Sequence, residues 1–90
     1  MVKQKIDSIP TLLECQLNIL SAFYSENKTL SVNELIALIN GLEKTVTPML
    51  TELVGYGIVT ARFFENAELK YQLTLFGLYL CNKIWGDQDI

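Results

Sequence analysis

The chain has 90 residues, a net charge of −3 and hydrophobic side chains at 50% of its positions. A domain of this length buries roughly 60–65% of its unfolded surface, so we predict one domain over residues 1–90 that folds without metals or disulfides. The sequence contains no histidine, the commonest metal ligand and general base. Because it also lacks a glycine-rich phosphate loop and a suggestive carboxylate pair, we predict no catalysis and no cofactor.

The sequence predicts a cytoplasmic chain that does not enter a membrane. Its apolar runs are short and interrupted by charged residues. The first ten residues, MVKQKIDSIP, contain no apolar signal segment, which predicts an unprocessed chain. Cys15 and Cys81 lie far apart inside apolar patterns, which predicts small buried side chains, with a redox pair as the alternative.

The first predicted helix covers residues 8–26, within SIPTLLECQLNILSAFYSE. Thr11 and Glu14 fit a T-x-x-E capping box, with Pro10 at the entrance. Asn27 and Lys28 are predicted to close the helix. Helical spacing predicts an apolar face made of Leu13, Leu17, Leu20 and Tyr24.

The second predicted helix covers residues 31–40, within LSVNELIALING. Ser31 and Glu34 form an S-x-x-E capping box, and Asn40-Gly41 is a typical C-terminal stop. Two short helices that meet at a glycine turn indicate a helix-turn-helix.

The third predicted helix covers residues 45–56 and contains a proline near its start. With Thr45 as the N-cap, Pro48 falls in the first turn, where a residue without an N–H removes no hydrogen bond. Gly57 is predicted to end the helix. The predicted apolar face contains Val46, Leu50 and Leu53, opposite an outer face of Lys44, Pro48, Thr51 and Gly55.

After the third helix the pattern changes to that of a β-hairpin over residues 58–73. GIVTARFFE is a predicted strand, NAE a turn and LKYQLT the returning strand. Thr74 is predicted to cap a last helix over residues 74–85. The order helix, helix, helix, strand, strand, helix predicts a winged helix-turn-helix, a mainly α fold with a small hairpin (α+β).

Three motifs resemble those of a known family. TVTPMLTELVGYGIV resembles the recognition helix and wing entrance of MarR-type regulators, especially their peroxide-sensing branch, and LSVNELIALINGLEKT is similar to their first helix-turn-helix element. KYQLTLFG resembles the L-T-x-x-G that closes the wing in MarR and PadR proteins. The resemblance covers residues 16–77 and implies a winged-helix transcription regulator that binds double-stranded DNA. The reactive cysteine of the peroxide sensors has no counterpart here.

The residues expected to face DNA lie on the third helix and the wing. Threonines bond phosphates or base edges, and a lysine near a helix start meets phosphate or guanine. The same pattern also fits a solvated helix face with a capping threonine. The wing contains Glu65 and Glu68, whereas wings of the family are normally richer in arginine. The candidate DNA-binding residues are Lys44, Thr45, Thr47, Thr51, Arg62 and Lys70.

Two functions fit the sequence. The first is a small DNA-binding transcription regulator that acts as a homodimer through its first and last helices, with one recognition helix of each protomer in the major groove. Both of these terminal helices are expected to carry more apolar side chains than one small core accepts. The second is an acidic winged-helix module or adaptor that binds a protein partner and does not contact DNA. Gathering of Lys28, Lys44, Arg62 and Lys70 on the recognition side would favour DNA, and scatter of these charges would favour a protein. Exposure of Phe63 or Phe64 also favours a protein partner. Packing is the ordinary expectation for the aromatic residues around the wing, which are Tyr56, Phe63, Phe64, Tyr71 and Phe76.

Overall fold

The elements follow one another in the predicted winged-helix order. The computed structural model describes residues 11–86. That residues 1–90 form a single domain stays a prediction. The elements are α1 (Glu14–Glu26), α2 (Val32–Ile39), α3 (Glu43–Gly55), β1 (Val59–Phe63), β2 (Leu69–Leu73) and α4 (Leu75–Cys81), followed by a π-helical turn (Asn82–Gly86).

The hydrophobic core lies between α1, α2 and α3 and extends under the base of the hairpin. Val46, Leu50 and Leu53 of α3 are completely or almost completely buried, which confirms the predicted inner face of this helix. Burial of these branched side chains removes their apolar surface from water, and this is the main favourable term for a domain of this size. The other buried apolar residues include Ile19, Leu20, Phe23, Leu30, Leu35, Ile58, Val59, Leu80 and Cys81.

Helix α1 begins later than predicted, and its buried face is rotated. Its N-cap is Leu13, and the Gln16 side chain accepts a hydrogen bond from the Leu13 N–H at 3.0 Å. Thr11 therefore does not cap the helix, and the predicted residues 8–10 lie outside the described part. Leu13 is exposed, so the predicted apolar face was wrong at that position. The face that packs inward contains Gln16, Ile19, Leu20, Ala22 and Phe23.

The caps of α2 agree with the sequence prediction. The Glu34 N–H donates to Ser31 Oγ at 3.1 Å, and the Ser31 N–H donates to Glu34 Oε1 at 2.8 Å. Each of two helix-start N–H groups thereby gains an acceptor. Asn40, with φ 55°, adopts the left-handed conformation that ends the helix, as Asn27, with φ 53°, does for α1.

Helix α3 begins at Glu43, with Leu42 as its N-cap, so the prediction of Thr45 as the cap was wrong. Pro48 consequently lies inside the helix, and it cannot donate the usual hydrogen bond to the Lys44 carbonyl. Lys44 and Pro48 are both exposed, so this carbonyl lies on the outer side of the helix, which is open to water. The helix tolerates Pro48 because the proline faces solvent.

The wing is a two-stranded antiparallel hairpin anchored at its base. Val59 pairs with Leu73 and Phe63 with Leu69. On the other side of β2, the loop before α2 adds a short bridge between Leu30 and Tyr71, with hydrogen bonds of 2.9 and 2.8 Å. The hairpin is therefore attached to both α1–α2 and α3.

The L-T-x-x-G motif joins the wing to α4. Thr74 Oγ1 donates to the Gly57 carbonyl at 2.6 Å and accepts from the Gly77 N–H at 2.9 Å, which confirms Thr74 as the cap of the last helix. A Cβ at position 77 would collide with the Ile58 carbonyl oxygen, so this close approach requires glycine.

The last helix is shorter than predicted. Regular α-helix ends at Cys81, and residues 82–86 form a π-helical turn where the prediction placed α-helix to residue 85. Tyr24 Oη donates to Asn82 Oδ1 at 2.7 Å, and the Tyr24 and Trp85 rings stack with centroids 5.9 Å apart. These contacts hold the turn against α1.

The two cysteines are unpaired. Cys81 is buried, and Cys15 is partly buried against the core, in agreement with the prediction of small packed side chains. Burial raises the pKa of the Cys81 thiol to about 11, which disfavours the reactive thiolate. Within residues 11–86, none of the helices combines the length and apolar character needed to cross a bilayer.

Candidate nucleic-acid interface

The outer face of α3 carries four of the six predicted contact residues. Lys44, Thr45, Thr47 and Thr51 are all exposed, while Leu50 and Leu53 on the opposite side fix the helix to the core. Thr51 Oγ1 donates to the Thr47 carbonyl at 3.0 Å, so its proton is used within the helix and its lone pairs face outward. The structure therefore brings a lysine and three hydroxyl groups together on one accessible helix face.

Lys44 is the cation of this face. It is the second residue of α3, and it forms no ion pair within residues 11–86. The N-terminus of a helix carries a partial positive charge, so a lysine there slightly destabilises the helix and adds to a local positive potential. An anion that approaches the start of α3 meets the helix N-terminus and Lys44, with Glu43, the first residue of the helix, as an opposing charge.

The two cations of the wing already have partners. Arg62 Nη1 donates to Gln72 Oε1 at 3.3 Å, and its guanidinium carbon lies 5.9 Å from the centre of the Phe64 ring. Lys70 Nζ lies 3.7 Å from Glu34 Oε1. Within the described residues, Arg62 therefore contacts other residues of the wing, and Lys70 contacts α2. Neither side chain has a described contact with the outer face of α3.

Two carboxylates, those of Glu34 and Glu26, form ion pairs with lysines near the wing. The Ser31 N–H hydrogen bond, with help from the Lys70 and Lys28 charges, lowers the pKa of the Glu34 carboxyl against the opposing effect of burial. Lys28 itself lies 4.0 Å from Glu26 Oε1. Of the four basic residues whose placement separates the two functions, Lys28 and Lys70 are thus each paired to an acid.

The aromatic residues of the wing divide into a packed and an exposed group. Tyr71 and Phe76 pack against the core, as predicted. Phe63 is 76% exposed, and Phe64 and Tyr56 are also exposed, so the expectation of packing was wrong for these three. Phe63 shares a sheet face with Val59, but it lies at the wing tip, beyond the reach of the core.

A second exposed apolar surface lies on the last helix. Leu75 is 87% exposed, and Leu78, Tyr79 and Ile84 are also exposed, which agrees with the expectation that this helix carries more apolar side chains than one core accepts. In α1, Ile19, Leu20 and Phe23 are core residues, whereas Leu13 is exposed. The four exposed residues Leu75, Leu78, Tyr79 and Ile84 are called the α4 face below.

Sequence reasoning missed a polar contact beneath α3. Gln16 is only 1% exposed, and its Nε2 donates to Glu52 Oε1 at 2.9 Å. A weaker contact joins the same nitrogen to the Met49 carbonyl at 3.5 Å. The one available signal was a glutamine at an inward position of an otherwise apolar helical stripe.

This geometry is similar to that of several solved structures. No family model and no curated protein matches the sequence. Among solved structures, a MarR family transcriptional regulator from Silicibacter pomeroyi matches with a TM-score of 0.74 at 23% identity, over 81% of this chain and 49% of that one. The S. aureus MepR–DNA complex matches with a TM-score of 0.74 at 17% identity, over 81% of this chain and 61% of the other.

MepR is also matched in a second structure, described as a transcription regulator of the Staphylococcus aureus multidrug efflux pump MepA. The TM-score is 0.75 at 18% identity, over 89% of this chain and 59% of MepR. The chain has the MarR-type winged-helix fold.

The MarR-type fold accounts for only part of these larger proteins. The chain spans about half to three fifths of the length of the MarR-type chains that it matches. This chain contains the helix-turn-helix and the wing, in the order that the sequence predicted.

Proposed function

We propose that this chain is a DNA-binding transcription regulator that acts as a homodimer, with α3 of each protomer in the major groove. The observation that carries the proposal is the outer face of α3, where Lys44 and three threonines are exposed on a rigidly packed helix. The MarR-type fold supports it, because one structure with this fold is described as a MepR–DNA complex. The sequence identity to that protein, 17%, is too low for the roles of its residues to be assigned to residues of this chain.

The roles of the six residues follow from their chemistry. Lys44 contacts a phosphate or a guanine edge, and Thr45 and Thr47 donate to phosphates or base edges. Thr51, whose proton is used on the Thr47 carbonyl, accepts from a base amino group, and the threonine methyl groups touch thymine methyl groups. Arg62 and Lys70 contact phosphates from the wing. Lys70 is in an ion pair with Glu34 and Arg62 is hydrogen-bonded to the Gln72 amide, and exchange of such surface contacts for a phosphate costs little.

Duplex binding with a shallow salt dependence is the test of this proposal. A dimer that neutralises roughly 4–8 phosphates gives a log–log slope of affinity against salt of about −4 to −7, at about 0.9 per phosphate. Fluorescence anisotropy of a labelled random-sequence duplex pool, titrated at several salt concentrations, measures this slope. Absence of binding even at low salt, where attraction between charges is least screened, would contradict the proposal.

A protein-interaction module is the second candidate, and the wing favours it. Phe63 and Phe64 are exposed beside Glu65 and Glu68, and the whole chain carries a net charge of −3. An apolar and acidic wing tip fits a basic protein surface better than it fits phosphates. If the wild-type chain binds no duplex, this function takes the place of the first.

We expect the α4 face to form the dimer interface. Leu75→Glu should convert the dimer into a monomer, because it places a charge in an apolar interface, while the fold should persist because Leu75 contributes little to the core. Multi-angle light scattering at micromolar concentration, with circular dichroism for the fold, measures both effects.

Phe63→Glu is the matched control for the dimer, since Phe63 is nearly as exposed but lies on the wing. It should leave the mass of the particle unchanged. A wild-type monomer at the same concentration contradicts the dimer, and dissociation by Phe63→Glu alone would move the interface to the wing.

A further inference from the structure

We infer that Gln16 is a positioning residue for the proposed DNA contact, because its amide holds the Glu52 carboxylate against α1 and away from the phosphates that α3 would meet. The inference rests on the proposed function and extends it to a residue outside the contact face. It assigns a role to the one polar side chain that is buried within residues 11–86.

The Gln16 amide is fixed at both of its ends. Its Oε1 accepts from the Leu13 N–H at 3.0 Å, which determines which end of the amide is oxygen. Its Nε2 therefore points to α3, where it donates to Glu52 Oε1 at 2.9 Å. Because Gln16 is buried, rotation of its side chain would leave polar atoms unpaired, at the cost of their desolvation.

Glu52 is the acid of α3 that this contact restrains. Helix α3 contains three charged residues, Glu43, Lys44 and Glu52. Glu52 lies about 12 Å from Lys44 along the axis and about 80° around it, on the border of the outer face. An unrestrained glutamate at this position samples conformations over that face, near the phosphates on either side of a major groove.

The charge balance of α3 explains why the restraint matters for binding. Its two acids outnumber its one lysine, so duplex binding depends on where the carboxylates are held. Two unit charges that approach within several ångströms at a protein surface change an equilibrium constant by about fivefold or more. Release of the Glu52 carboxylate therefore weakens binding without loss of any direct contact.

The experiment compares the effect of Glu52→Gln in two backgrounds, the wild-type full chain and Gln16→Leu. The probe is a fluorescein-labelled pool of random-sequence duplexes of about 30 base pairs at about 50 mM salt, followed by anisotropy. We expect Glu52→Gln to change the wild-type affinity by less than about twofold and to improve the Gln16→Leu affinity by about fivefold or more. Gln16→Leu alone should bind about fivefold more weakly than wild type.

An exchanged pair gives an independent readout. Gln16→Glu combined with Glu52→Gln keeps the net charge, and it restores a hydrogen bond between the two side chains with donor and acceptor reversed. It should bind DNA at least as well as wild type, whereas Gln16→Glu alone should bind more weakly, because two carboxylates then repel each other. If circular dichroism shows that Gln16→Leu is unfolded, Gln16→Met, which also removes the amide donor and has a similar length, replaces it in the comparison.

The outcomes separate this inference from the proposed function. Equal effects of Glu52→Gln in both backgrounds, or a Gln16→Leu variant that binds like wild type, overturn the positioning role and leave DNA binding intact. A wild-type chain that binds no duplex overturns both.

Discussion

Leu53→Ala should lower the free energy of unfolding by about 2–5 kcal/mol, and Leu50→Ala should do the same. Both side chains are buried on the inner face of α3, between α1 and α2. Truncation to alanine loses the transfer free energy of three carbons and leaves a cavity that the packed helices fill only partly. Domains of this size are stable by about 5–15 kcal/mol, so either change removes a large part of the total.

Urea denaturation followed by circular dichroism and by the fluorescence of Trp85, the single tryptophan of the chain, measures this loss. Val54→Ala is the matched control, because Val54 is adjacent to Leu53 on the same helix and is exposed. It should cost less than about 1 kcal/mol. If Leu53→Ala also lowers the free energy of unfolding by less than about 1 kcal/mol, Leu53 is not the core residue assigned above.

The features that were predictable from the sequence are those that local chemistry determines. The Ser31–Glu34 capping box joins residues three positions apart, so its pattern can be recognised without knowledge of the fold. Thr74 and Gly77 form a similar local unit, and the left-handed residue Asn40 follows directly from the asparagine–glycine stop. Helical spacing likewise gave the buried face of α3.

The starts of α1 and α3 were wrong because more than one local signal competed. Thr11 and Glu14 satisfy the capping pattern, but at the start of α1 the Leu13 N–H donates to Gln16 Oε1. In α3, Pro48 suggested a helix start close by. The helix nevertheless begins two residues before the predicted cap, since a proline on the solvent side leaves only an exposed carbonyl without its usual partner.

The Gln16–Glu52 contact and the exposure of Phe63 depend on tertiary structure. Gln16 and Glu52 are 36 positions apart, and no pattern within either helix pairs them. For Phe63, strand alternation gives the correct sheet face but not the distance from the core. Both features bear on function, the first at the proposed DNA contact and the second at the alternative protein contact.

Lys44→Glu should weaken duplex binding by at least about tenfold, because each protomer loses a cation and gains an anion at the start of α3. The same change should leave stability unchanged or raise it by about 0.3–1 kcal/mol, since a carboxylate in the first turn of a helix interacts favourably with the helix dipole. A lysine that serves ligand contact and not folding is expected to show this combination, in which the substitution weakens binding but does not lower stability. Anisotropy with the duplex pool and urea denaturation of the same preparation measure the two effects.

Lys83→Glu is the matched control for Lys44→Glu. Either change takes the net charge from −3 to −5, since one positive charge is lost and one negative charge is gained. Lys83 lies on the π-helical turn after α4, with its Nζ 5.6 Å from the centre of the Tyr79 ring, away from α3 in the chain and in the fold. It should weaken binding by less than about threefold, as expected for a distant and screened charge, provided that light scattering shows an unchanged mass. Equal losses from the two reversals would mean that overall charge, and not the outer face of α3, determines the affinity, and the assignment of Lys44 to the contact would then be wrong.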